Sequence, residues 1–148
     1  MLQKGDRVPD FAGVTQDNKP ITSKDYEGKK YVVFFYPRAS TPGCTTEACN
    51  LRDHHEALKA QGYHIIGVSA DSVVKQKKWA EKHTLLFPLI ADEEKTIINA
   101  FGVWKPKKFM GKEYEGIHRT TFIVNEKGLV DKVITKVKTK DHAAQILE

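Results

Sequence analysis

The run Tyr31-Val32-Val33-Phe34-Phe35-Tyr36 leads directly into a Pro/Gly/Ser/Thr segment from Pro37 to Gly43, and then into helical periodicity from about Cys44 to Gln61. A continuous β-branched and aromatic run, without polar alternation, belongs to a strand covered on both faces. Gly62 is a C-terminal stop for the helix that follows. His64-Ile65-Ile66-Gly67-Val68-Ser69 reads as a second buried strand. Asp71 or Ser72 caps a helix to about Lys82, with Val73, Val74, Trp79 and Ala80 as inward positions. Phe87-Pro88-Leu89-Ile90 is a short edge piece, because its Pro cannot sit in a central strand. Asp92 then caps a short helix from Glu93 to Ala100.

The last third has a different rhythm. Thr120 to Val124 and Leu129 to Val137 are strand-like, and Asn125-Glu126-Lys127-Gly128 between them signals a hairpin. Asp141 opens a final helix. At the front, Phe11 to Val14 and Pro20 to Thr22 flank a turn, giving a small extra hairpin. The order is hairpin, β-α-β-α, then β-β-α. Right-handed crossovers make the first two long strands parallel and leave a final antiparallel pair. The expected fold is α/β: a thioredoxin-like three-layer sandwich with a mixed central sheet and an N-terminal β-hairpin addition, one domain over residues 1–148.

Composition agrees with one domain. A chain of 148 residues, 40% apolar and 29% charged, buries about two-thirds of its unfolded surface and needs no staples. No apolar run approaches the ~20 residues of a membrane helix. The start, MLQKGDRVPDF, has charges and a Pro where a signal peptide carries its apolar core. The expectation is a cytoplasmic protein with no membrane association. The net charge of +5 is spread over the chain. Its densest stretches are Lys105, Lys107 and Lys108, then Lys132, Lys136, Lys138 and Lys140. The second set falls largely on alternate positions of the expected strand, opposite Val133 and Val137, as a solvated face. No nucleic-acid signature accompanies it. Trp79 and Trp104 read as core.

The chemistry concentrates in Pro37-Arg38-Ala39-Ser40-Thr41-Pro42-Gly43-Cys44-Thr45-Thr46-Glu47-Ala48-Cys49. This segment follows a buried strand and opens a helix, where open α/β sheets place their ligands. Cys44 falls in the first helical turn, so free N–H groups and the positive end of the helix dipole favour its thiolate. Thr41 can aim its hydroxyl into the same pocket, and Pro37 and Pro42 stiffen the loop. Cys44 therefore reads as a reactive thiol rather than a buried apolar group. On an ideal helix, positions five apart lie ~8.6 Å from Cα to Cα, whereas a disulfide spans no more than ~7 Å. If Cys44 and Cys49 react with each other, the helix start must unravel. Inert packing of Cys49 stays open. So does a metal site from Cys44, Cys49 and His54 or His55, although the paired spacings of structural zinc are missing.

At these residues the sequence resembles the peroxiredoxins, in particular the bacterioferritin comigratory protein or peroxiredoxin Q subfamily. Pro37, Thr41 and Cys44 meet the family's active-site pattern. Thr41 to Cys49 meets the longer signature Thr-Pro-Gly-Cys-Thr-Thr-Glu-Ala-Cys in full. The likeness continues through Asn50 to Asp53, Ala100 to Trp104 and Arg119 to Phe122. The resemblance implies a thioredoxin-dependent peroxidase that reduces hydrogen peroxide and organic hydroperoxides to water or alcohols. In it Cys44 is the peroxidatic cysteine and Cys49 the resolving one. Arg119 is the active-site arginine, on a strand facing the loop. With Thr41 it hydrogen-bonds the peroxide, assisted by the backbone N–H groups of Gly43 and Cys44, and Pro37 helps shape that pocket. Glu47 orients the arginine. A sulfenic acid on Cys44 then condenses with Cys49 to an intramolecular disulfide, which thioredoxin or a similar thiol reductant recycles. No metal, haem or flavin is implied, and an internal resolving cysteine favours a monomer.

From the residues alone, Arg119 is a strand-edge charge and Glu47 an exposed helix charge. Arg38 follows the motif Pro without a matching family role. The six His do not cluster with the motif, apart from His54 and His55 on the same helix; His118, one residue before Arg119, points to the other face. Two other functions use the same features. A peroxide-sensing thiol relay would use the cysteine pair to oxidise a partner protein, and a holdase would suppress aggregation without Cys44.

Overall fold

In the computed structural model, which describes residues 1–148 apart from the side chain of Phe109, the apolar run becomes β3 of a five-stranded sheet. Before it, β1 (Ala12–Val14) and β2 (Pro20–Thr22) pair antiparallel as a separate hairpin. The sheet then takes β3 (Lys30–Phe35), β4 (Tyr63–Ser69) and β5 (Leu89–Ala91) in parallel. Helices α1 (Pro42–Asp53), α2 (His55–Ala60) and α3 (Val73–His83) lie between them in sequence, and α4 (Thr96–Phe101) follows β5. A second hairpin, β6 (Trp104–Phe109) with β7 (Lys112–Ile117), leads to β8 (Thr120–Val124), β9 (Val130–Ile134) and α5 (His142–Leu147). The strand order is β5-β4-β3-β8-β9, with β8 antiparallel to both its neighbours.

The period-2 alternation of β3 builds both halves of the core. Val32, Phe34 and Tyr36 face Leu51 of α1, Leu58 of α2, Trp79 of α3 and Ile146 of α5. Tyr31, Val33 and Phe35 face the other way, onto Ile97 and Phe101 of α4, with Phe11 and Ile21 from the N-terminal segment. Each such side chain, fully buried, contributes about 1.5–3 kcal/mol. The sheet is thus the middle of three layers.

Several expectations are corrected. The helix expected from Cys44 to Gln61 is broken at His54, whose φ/ψ of −107°/16° interrupts the ladder between α1 and α2. Val74 is exposed on α3, and Gln76 takes the inward position instead. The last strand stops at Ile134, so of the four late lysines only Lys132 lies on it. The helix after β5 starts at Thr96, because Lys95 adopts a left-handed conformation and the distant Asp92 carboxylate accepts Ile98 N–H at 2.8 Å. Trp104 is half-buried, with its Nε1 donating to Glu115 Oε2 across the β6–β7 hairpin at 3.1 Å. That hairpin has no counterpart among the sequence expectations. Its strands are rich in Lys and Glu, and its reversal uses positive φ at Met110 and Gly111. Among the described residues, no helix is long and apolar enough to cross a membrane.

Candidate active site

Cys44 is the third residue of α1, with Thr41 as N-cap and Pro42 in the first turn. Thr45 N–H bonds back to Thr41 O at 2.9 Å, and Pro42 has no N–H to offer. The amides of Gly43 and Cys44 are the helix-end donors left without an intrahelical partner. Cys44 has no exposed surface, and its sulfur accepts a hydrogen bond from Arg119 Nη2 at 3.3 Å.

Strand pairing brings Arg119 to this point. Thr120 is in register with Phe35, so the residue just before β8 stands beside the end of β3, where the cysteine loop begins. Arg119 lies in the two-residue link between β7 and β8 rather than on a strand, a correction that frees its side chain from the sheet's alternation. Its other nitrogen, Nη1, donates to Glu47 Oε1 at 2.7 Å. Gly43 leaves room for this approach, since a Cβ there would come within 3.3 Å of Arg119 Nη2. Burial opposes the charge on Arg119. Cys44 and Glu47 outweigh it, so the guanidinium is held above its ordinary value.

Glu47, one helical turn beyond Cys44, is fully buried rather than an exposed helix charge. Burial pushes its carboxyl up to about 7 against the pull of Arg119. Its second oxygen, Oε2, makes no hydrogen bond and lies 3.4 Å from His142 Nε2. His142, at the start of α5, is also fully buried. Burial leads in holding its imidazole below the ordinary value, and Arg119 adds to it against a hydrogen bond with Gln145. The expectation that no His joins the motif, apart from His54 and His55, is therefore overturned. Local sequence gives no signal for His142, which α5 delivers over the end of α1. His118 makes a contact at 3.0 Å with Pro106 O.

The loop is fixed from beneath. Ala39 N–H donates to Asp71 Oδ2 at 2.7 Å, and the Ser69 hydroxyl donates to the same oxygen at 2.7 Å. Gln76, fully buried, donates to Ser69 Oγ at 2.9 Å and to Ile90 O at 3.1 Å, while its Oε1 accepts the Tyr36 hydroxyl. This network ties the ends of β3, β4 and β5 to α3. Sequence reasoning found none of these roles. Thr41 Oγ1 donates to Arg38 O at 2.8 Å, leaving the oxygen free to accept. Pro37 is half-buried and Arg38 exposed; both border a cleft of about 750 Å³ shared with Trp104, Lys107 and Tyr114. Lys107 reaches the site from β6. Burial and Arg119 push its ammonium down, opposed by Cys44.

Cys49 is half-buried on the same unbroken α1, and both cysteines are free thiols. The next residue, Asn50, anchors the helix to α5: its Nδ2 donates to Lys140 O and its Oδ1 accepts Ala143 N–H, both at 2.8 Å. Among the described residues, no group of three His, Cys, Asp or Glu is arranged to hold a metal.

A buried thiol held by a guanidinium and two free amides is an arrangement for stabilising an anion and the charge it transfers. The AhpC/TSA family profile matches residues 4–133. The chain is 46% identical over 147 residues to peroxiredoxin Bcp of Bacillus subtilis, covering 99% of this chain and 94% of that one. It is 41% identical over 146 residues to peroxiredoxin Bcp of Escherichia coli, with coverage of 99% and 94%. The crystallised bacterioferritin comigratory protein of Xanthomonas campestris, described by its alkyl peroxide reduction activity, superposes with a TM-score of 0.89. That match has 33% identity and covers 99% of this chain and 94% of the other.

Proposed function

The chain belongs to the AhpC/TSA family, in its peroxiredoxin Bcp/peroxiredoxin Q branch, and from that membership we propose a two-cysteine mechanism for its thiol-dependent peroxidase activity. Cys44 thiolate attacks one oxygen of the hydroperoxide. An S–O bond forms, the O–O bond breaks, and the other oxygen leaves to become water or an alcohol. Arg119 follows the charge from sulfur to the leaving oxygen, with the Gly43 and Cys44 amides as further donors. Thr41, whose own hydrogen is directed to Arg38 O, accepts the hydrogen of the peroxide. Pro37 walls the pocket and Glu47 holds the guanidinium in place.

The Cys49 thiol then attacks the Cys44 sulfenic acid, forming the disulfide, and its proton leaves with the hydroxyl as water. Thioredoxin or a similar dithiol reverses this by two exchanges. The observation that carries the reading is the bridge from Arg119 to Cys44 Sγ and Glu47 Oε1 at the free end of α1. The test is peroxide consumption with thioredoxin, thioredoxin reductase and NADPH. Wild type turns over, Cys44→Ser does not, and Cys49→Ser loses sustained cycling. Equal consumption by wild type and Cys44→Ser overturns the reading.

A further inference from the structure

Glu47 and His142 form a buried pair in which one carboxylate oxygen, Glu47 Oε2, finds no donor unless the pair holds an additional proton. His142 Nδ1 lies 2.8 Å from Gln145 Oε1. The Gln145 amide is oriented by its Nε2 donating to Lys136 O and its Oε1 accepting Lys138 N–H, both at 2.9 Å. Oε1 is therefore an acceptor, and Nδ1 carries the hydrogen. In a neutral imidazole Nε2 is then an acceptor, and the Thr121 hydroxyl is placed to donate to it. That nitrogen is 2.7 Å from Thr121 Oγ1 and 3.4 Å from Glu47 Oε2, which has no hydrogen-bond partner. With Nε2 accepting from Thr121, nothing donates to Glu47 Oε2, and an ionised carboxylate oxygen fully buried without a donor is electrostatically unfavourable unless the pair holds a proton.

Charge balance points the same way. Arg119 from the β7–β8 link and His142 from α5 contact Glu47, and Cys44, one turn earlier on its own helix, shares Arg119 with it. A Cys44 thiolate and a Glu47 carboxylate would share one guanidinium, leaving a buried excess negative charge. Lys107 offsets part of it from the cleft side, where it faces Arg119 and Cys44. A neutral Glu47–His142 pair would leave the Arg119 charge matched by the thiolate alone. Burial raises Glu47 and lowers His142, so the proton sits on the carboxyl.

We propose that the Glu47–His142 pair stores one proton while Cys44 is a thiolate and gives it up when Cys44 is oxidised. This rests on Cys44 being the peroxide-reactive thiol. The balance is Cys44–S⁻ + ROOH + Glu47–COOH → Cys44–SOH + ROH + Glu47–COO⁻. Sulfur is oxidised and the peroxide reduced. The thiolate charge next to Arg119 disappears, the carboxylate charge replaces it, and one cation still faces one anion. Glu47 has no exposed surface and does not touch the peroxide. The balance is net: the leaving oxygen takes a proton from solvent and Glu47 returns one to solvent. Glu47 and His142 are thus positioning residues acting through Arg119.

The test is reduced-minus-oxidised infrared difference spectroscopy near pH 6.5 on the full chain carrying Cys49→Ser, in which oxidation stops at the Cys44 sulfenic acid and α1 stays closed. One equivalent of hydrogen peroxide is added, and Cys44 oxidation is followed in the same sample by thiol titration. That chain is expected to lose one protonated-carboxyl C=O band on oxidation, and the same chain with Glu47→Gln to lack that band. In His142→Phe, the pH at which the band disappears in the reduced protein shifts by at least one unit. A merely structural His142 would lower stability without moving that titration. Oxidation of Cys44 with no change in the carboxyl region, or the same change in Glu47→Gln, overturns the proposal while leaving the peroxidase reading intact. Cys44 that peroxide does not oxidise overturns both.

Discussion

Arg119 divides its two nitrogens between Cys44 and Glu47, and a lysine cannot make that fork. Arg119→Lys is expected to slow Cys44 oxidation by roughly 10²–10³-fold, the loss typical of one missing transition-state donor. Stopped-flow kinetics with excess peroxide would measure it; a loss below tenfold would mean the free amides suffice. Glu47 predicts a pH effect on stability. Its carboxyl, ordinarily near 4.5, is pushed up to about 7, so the folded chain binds its proton more tightly than the unfolded chain does. That contribution is complete below about pH 4.5 and is lost as pH rises through about 7. Its size is on the order of 3 kcal/mol. His142, held below 6.5, runs oppositely, gaining as the unfolded imidazole sheds its charge. Wild type should therefore lose stability relative to Glu47→Gln between about pH 5 and 7.5 in urea titrations. A pH-independent difference would show that Glu47 stays ionised throughout. Cys44, Thr41, Glu47 and Arg119 could be picked out in the sequence because loop, helix start and motif lie close together or match a strong pattern. His142, Asp71 and Gln76 could not, since only tertiary packing brings them to the loop.

Among the elements, α1 carries both cysteines and the most consequential tie. Asn50, adjacent to Cys49, holds α5 through two hydrogen bonds; Trp79 Nε1 donates to Thr45 Oγ1 at 3.0 Å from α3. Helix opening, which the Cys44–Cys49 bond requires, works against both. Asn50→Ala is expected to lower stability by about 1 kcal/mol, by removing an exposed hydrogen bond to Lys140 O and a part-buried one from Ala143 N–H. It should also speed disulfide formation after a single equivalent of peroxide. Quenched-flow alkylation would follow the rate, and an unchanged rate would place the opening wholly in the turns before Asn50. The start of α3 was readable because Ser72 sits where an N-cap belongs, whereas α1 begins two residues before the expected Cys44. The break at His54 was not readable, since neither Pro nor Gly marks it.

For the whole molecule, β3 was the most readable feature, because its unbroken apolar run admits only a strand covered on both faces. The β6–β7 hairpin was the least readable: it lies outside the central sheet, and its Lys and Glu side chains follow solvent rather than core. Packing at the sheet centre leaves little slack. A Cβ on Gly67 would lie 2.8 Å from Leu89 Cδ2 and 2.9 Å from Phe34 Cζ. Gly67→Ala is thus expected to cost about 1–3 kcal/mol, lowering Tm by about 2–4 °C per kcal/mol in a chain of this length. A calorimetric Tm within 1 °C of wild type would show that the sheet yields. Finally, both cysteines share one helix, so a bond between them cannot be added without removing hydrogen-bonded turns. On the proposed two-cysteine mechanism, an oxidised copy therefore presents a loosened segment to any protease, and a reduced copy does not. Where recycling lags behind peroxide, the protein's lifetime becomes a record of its workload.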